Sequence, residues 1–191
     1  MIPTVALCYD DGPSRWTDDL LDVLDTAQAK ATFFVLGCNI EGNEVTLLRT
    51  QAHGHEIALH GWSHLAINHM TDAELREALY KTVTALTALG LPEPRWWHPP
   101  WNRNTDSSLR LVSELGYGYC RPTLDAGDVV HGEEWVVNHV LGKLDGGEVI
   151  GLHDGVAANG SQSRPTREAT VNATRRILEH CHSVTVSELL A

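Results

Sequence analysis

Short apolar runs alternate with helix-patterned stretches along all 191 residues, and this alternation is the strongest constraint on the fold. Residues 5–9, 31–36, 56–60, 95–98, 117–121, 148–153 and 183–186 read as strands: short, apolar and bounded by turn residues. Between them, 17–26, 44–53, 71–88, 105–115, 133–144 and 166–180 carry helical spacing. Thr71-Asp72-Ala73-Glu74 is a capping box, and Gly54, Gly90 and Gly116 stand where three of these helices should stop. Strands separated by helices of this length imply parallel βαβ units. Seven or eight strands in one chain of this size predict a compact α/β barrel, complete or incomplete, forming one domain over residues 1–191.

Composition narrows the partners. The hydrophobic fraction of 42% and charged fraction of 20% are those of an ordinary globular domain. A formal net charge of −11 repels phosphate backbones and anionic membrane surfaces, so neither nucleic acid nor membrane is an expected partner. No apolar run approaches the length of a membrane span, and the first strand starts almost at Met1 with no basic leader before it. Cys8, Cys38, Cys120 and Cys181 form no CxxC pair and read as free thiols in a reducing compartment. A soluble, cytoplasmic protein is the expectation.

Polar residues gather where the apolar runs end. Asp10 and Asp11 close the first run, and Gly12-Pro13 then turns the chain so that both carboxylates can face one cleft. One carboxylate can bind a metal while the other acts as a base. His60 and His64, four apart after the third run, can converge on one cation if the backbone turns between them. His153 and Asp154 close the run before residue 155, and a histidine there suits a general acid. In α/β folds chemistry collects at the carboxyl ends of the strands, so three such ends point to one hydrolytic metal site.

Taken in order, Tyr9-Asp10-Asp11-Gly12-Pro13, His60-Gly61-Trp62-Ser63-His64, Trp97-His98-Pro99-Pro100-Trp101, Asp125-Ala126-Gly127-Asp128 and Leu152-His153-Asp154 resemble the polysaccharide deacetylase family, the NodB-homology group of carbohydrate esterases (family 4). The resemblance implies a distorted (β/α)7 barrel and metal-dependent removal of acetyl groups from amino sugars. It implies that Asp11, His60 and His64 hold the metal, that Asp10 is the general base and that His153 is the general acid. It further implies Asp125 as the carboxylate orienting His153, Leu152 as the wall of the acetyl pocket, Pro100 and Trp101 as substrate contacts, and the Trp101 N–H as an oxyanion donor.

Some positions depart from the family pattern. His98 stands where the family usually has an arginine bracing the base, so either His98 is ionised or Arg103 or Arg121 supplies the charge. Val129 replaces a usual tryptophan. These differences surround the substrate pocket and leave the metal set intact. Zinc suits two histidines and a carboxylate, as do cobalt, nickel and manganese. The expected substrate is an acetylated carbohydrate, an oligosaccharide or a related small N-acetylated metabolite. The alternatives are an O-acetyl esterase on the same site, and a non-catalytic carbohydrate-binding descendant of the fold. An ester leaves as an alcohol and needs less help from the acid than an amide. Binding alone does not require Asp10, Asp11, His60, His64 and His153 together.

Overall fold

The computed structural model describes residues 2–157 and 164–191. Eight strands form one parallel sheet: β1 (Thr4–Asp10), β2 (Ala31–Leu36), β3 (Glu56–Gly61), β4 (Trp96–Trp97), β5 (Gly118–Tyr119), β6 (Leu124–Asp125), β7 (Val149–His153) and β8 (His182–Val184). Around it run α1 (Arg15–Thr26), α2 (Glu44–Ala52), α3 (Asp72–Ala88), α4 (Asp106–Glu114), α5 (Glu133–Leu141), α6 (Glu168–Ile177) and the short α7 (Val186–Leu189). The spatial order is β5-β4-β3-β2-β1-β7-β6, with β8 added beside the start of β1. The sheet curls as the distorted (β/α)7 barrel that the family resemblance implies. Its path ends at β5 and β6, two strands of two residues each, with no ladder joining them among the described residues.

Burial explains the middle of the sheet. From Val5 onward β1 is buried along its whole length, as is β2, because helices or neighbouring strands cover both faces. Tyr9, Phe33, Leu59 and Trp97 are almost completely excluded from water, and full burial of a side chain of this kind stabilises by about 1.5–3 kcal/mol. The helices stop as their sequences require. Thr71 caps α3 with Glu74 reciprocating, and Gly90 takes a φ of 78° that a β-carbon would resist.

Two features escaped the periodicity. β6 is too short to show a pattern, and 186–189 form a helix rather than the end of the last strand. There Thr185 caps the new helix through Glu188, a local contact that outcompetes strand pairing. Among the described residues no helix is long and apolar enough to cross a membrane.

Candidate metal centre and catalytic cleft

Register brings the polar strand ends to one level. Asp10 of β1 pairs with His153 of β7, and Leu59 of β3 pairs with Trp97 of β4, so His60 and His98 emerge side by side. Between β2 and β3, Val35 faces Leu59 but Leu36 faces Gly61. His60 is therefore the extra residue of a bulge, a device that re-aims a side chain at a sheet rim. The resulting cleft, about 260 Å³, is lined by Asp10, His60, His64, His98, Trp101 and His153, together with Asp125, Val129 and Gly151.

Asp11 sits at a φ of 73°, a left-handed conformation that a non-glycine residue adopts only when its surroundings hold it there. Asn39 Nδ2 donates to the Asp11 carbonyl at 2.8 Å, and the N–H groups of Asp154 and Gly155 both donate to the Asp10 carbonyl at 3.1 Å. Gly155 packs so closely on this segment that a β-carbon there would collide with the Asp11 carbonyl oxygen. Gly155→Ala is expected to cost about 1–3 kcal/mol in urea unfolding and to weaken divalent-metal binding together with it. Unchanged unfolding and metal titrations would show that the close approach does not position Asp11.

Asp11 Oδ1 lies 3.6 Å from His60 Nε2 and 3.4 Å from His64 Nε2. These separations exceed a normal hydrogen bond of about 2.7–3.2 Å. They match the roughly 3.3–3.4 Å between two ligands of one tetrahedral ion bound at about 2.0–2.1 Å. The His60 ring is fixed from behind: its Nδ1–H donates to the His98 carbonyl at 2.7 Å, which leaves Nε2 for the cleft. Burial pushes both imidazoles below their ordinary pKa, toward the neutral form a cation requires. The donor set of Asp11, His60 and His64 thus fits a divalent ion.

Asp10 and His98 are both buried, with Asp10 Oδ2 3.5 Å from His98 Nε2. His98 Nδ1–H donates to the Cys120 carbonyl at 2.9 Å. Burial, countered by that carbonyl and reinforced by the neighbouring His153 and His64, brings the His98 pKa down to about 4. An ionised His98 is therefore not what the structure supports. Nor do Arg103 or Arg121 replace it, since both are exposed and neither is ion-paired to Asp10 among the described residues.

Across the cleft, His153 is bound to Asp128 and not to Asp125. His153 Nδ1–H donates to Asp128 Oδ1 at 2.9 Å, and its backbone N–H donates to Oδ2 at 3.0 Å. Thr170 Oγ1 donates to the same Oδ2 at 2.7 Å. Burial alone would lower the His153 pKa, but the charge and hydrogen bond of Asp128, with Asp10 and Asp11 behind, raise it to about 9. Asp125 closes β6, is exposed, and spends an oxygen on its own turn by accepting from the Gly127 N–H at 2.8 Å. The turn after it carries Asp128 back beneath the end of β7. Its only trace in the sequence is the second carboxylate of Asp125-Ala-Gly-Asp128.

Two more expected contacts move. Gly151 and His153 share the cleft face of β7, so strand alternation turns Leu152 away, into the buried core. Pro100 is buried and faces a neighbouring depression beside Trp62 and Leu75. Trp101 does line the cleft: it is exposed, sits at a φ of 62°, and its ring packs 4.8 Å from that of His64. Arg167 is fully buried and donates from Nε to the Gly155 carbonyl at 2.7 Å.

Comparison with known proteins adds a family. Residues 2–120 match the model of the polysaccharide deacetylase family. A chitin deacetylase from Pestalotiopsis sp is 32% identical over 158 residues, covering 79% of this chain and 53% of that protein, so the chain spans about half of that relative. A peptidoglycan-N-acetylglucosamine deacetylase from Bacillus cereus is 31% identical over 195 residues, covering 97% of this chain and 87% of that one. Among solved structures, peptidoglycan deacetylase PdaC from Bacillus subtilis matches with a TM-score of 0.86 at 25% identity, over 98% of this chain and 90% of that one.

Proposed function

Because this chain belongs to the polysaccharide deacetylase family, we propose that it is a metal-dependent deacetylase that hydrolyses the N-acetyl amide of an amino sugar, an oligosaccharide or a related small N-acetylated metabolite. One observation carries this reading: a buried carboxylate, Asp10, and a charged imidazole, His153, flank the three-ligand set of Asp11, His60 and His64 in one cleft. Asp11, His60 and His64 hold the ion, and zinc is the proposed metal on the chemistry of two imidazoles and a carboxylate. When bound, a divalent cation supplies Lewis acidity toward the amide carbonyl and the attacking water.

The remaining steps fall to side chains and backbone. Asp10 takes the proton from the attacking water. The Trp101 N–H, which the left-handed turn leaves out of the hydrogen bonds made by Asn102 and Arg103, donates to the oxygen that gains charge. His153, kept protonated by Asp128, gives its proton to the departing nitrogen. That last arrangement favours an amide over an ester, because an amine is the poorer leaving group. The free cysteines, three of the four buried, support a reducing, cytoplasmic setting.

The test is acetate release from short N-acetylglucosamine oligomers and small N-acetylated metabolites. Dialysis against a chelator is expected to remove the activity, and stoichiometric zinc to restore it. Undiminished turnover in rigorously metal-free protein would overturn the reading.

A further inference from the structure

We propose that the centre contains a second cation seat, formed by Asp10, His60 and His98, which overlaps the first at His60 and takes the ion when the first seat is weakened. This rests on the metal-dependent reading above and deepens it.

The second seat carries the same marks as the first. One ligand atom from each of Asp10, His60 and His98 lies within 4.8 Å of the others, and all three residues are buried. Asp10 Oδ2 and His98 Nε2 stand 3.5 Å apart, too far for a hydrogen bond and within the range of the Asp11–histidine separations. Both rings are locked by backbone carbonyls behind them, His60 by that of His98 and His98 by that of Cys120, so both aim Nε2 into the cleft. The rings lie stacked, 5.4 Å apart at 22°, and thus face the same way.

Asp10 Oδ1 adds an independent sign, being buried with no hydrogen-bond partner among the described residues. A buried carboxylate oxygen left unpaired is costly, and a cation removes that cost. The rival occupant of the gap is a proton shared by Asp10 and His98. A shared proton draws its two heavy atoms to hydrogen-bond distance, which 3.5 Å is not. His60 offers one lone pair to the cleft, so the two seats exclude each other and one chain binds one ion. An ion in the second seat engages Asp10 and removes the base.

The experiment is a calorimetric zinc titration of the full chain as wild type, His64→Ala, His98→Gln and the double variant. Circular dichroism confirms the fold of each. Two seats predict that His98→Gln alone changes zinc affinity by less than about threefold. In the His64→Ala background the same change should lower affinity by at least about tenfold, the size of coupling seen between interacting sites. One ion per chain is expected for the wild type and for His64→Ala. Should His64→Ala fail to fold, Asp11→Asn weakens the first seat in its place.

The proposal is overturned if His64→Ala and Asp11→Asn lose zinc altogether. It is equally overturned if His98→Gln has the same effect in both backgrounds. A wild type that binds no divalent ion sinks the deacetylase reading itself, a result distinct from either.

Discussion

Replacing Asp128 with Asn is expected to lower kcat on an N-acetyl amide by about 10²–10⁴-fold, the usual worth of a positioned proton donor. The same change at Asp125 should shift stability by no more than about 0.5 kcal/mol and lower the rate far less, since Asp125 is exposed and among the described residues its side chain bonds its own turn and not His153. The difference follows from geometry: both oxygens of Asp128 are committed to the His153 end of β7, at 2.9 and 3.0 Å. pH separates the effect from simple damage. With its pKa at about 9, His153 stays a proton donor through neutral pH and is lost above it. A cation bound nearby repels the imidazolium, so the alkaline limb of the loaded enzyme should fall at or below about pH 9. Asp128→Asn removes the anion and should move that limb to lower pH.

Stability must follow the same proton. A histidine with a raised folded pKa contributes stability that is complete below its unfolded pKa of about 6.5 and is lost as pH rises through its folded value. The rise to about 9 corresponds to roughly 3 kcal/mol at neutral pH, with the His153 side chain only 20% exposed. Asp128, whose pKa is lowered because His153, Thr170 and Arg167 together outweigh its burial, contributes in the opposite window, losing its share as pH falls through its folded value. Urea unfolding from pH 7 to pH 10 should show a smaller loss of stability toward the alkaline end in Asp128→Asn than in the wild type, because the share carried by the raised His153 is gone. A variant as stable as the wild type at pH 7, with an unmoved kinetic limb, would remove Asp128 from the role assigned to it.

The second large effect belongs to Asp10. Asp10→Asn keeps the shape and burial of the side chain but cannot accept a proton, so kcat and kcat/KM should fall together by about 10²–10⁴-fold. Zinc content should not change, because Asp11, His60 and His64 are untouched. A loss confined to KM, or a loss of bound zinc equal to the loss of rate, would mean that Asp10 binds substrate or metal in the resting enzyme and is not the base. The burial that raises the Asp10 pKa in the absence of an ion is offset in part by His153 directly across the strand pair. The proposed acid and base thus occupy register partners on adjacent strands, β1 and β7.

How much of this was legible beforehand depends on the range of the interactions involved. Strand and helix order and the capping box at Thr71 rest on local signals, apolar periodicity and turn residues, whereas the choice of Asp11 with His60 and His64 came from the resemblance of the ordered motifs to the family. Leu152 was also decidable locally, since a strand turns neighbouring residues to opposite faces and His153 already held the cleft side. Asp128 was not. Its position depends on a two-residue strand and on a turn that closes against β7 and α6, through Thr170 forty-two residues away. His98 was visible as a departure from the family pattern, but its state was not, because burial beside Phe34 and the carbonyl of Cys120 decides its protonation.

The amino-acid order by itself determined the class of fold and the family, because both are written in apolar runs, turn residues and short motifs close along the chain. Only the tertiary structure decided which carboxylate holds His153, that His98 faces Asp10, and that Asp10, His60 and His98 each bring one ligand-type atom to within 4.8 Å of the others. Those facts depend on strand register and on exclusion of water, and both arise only when segments distant in the chain pack against one another.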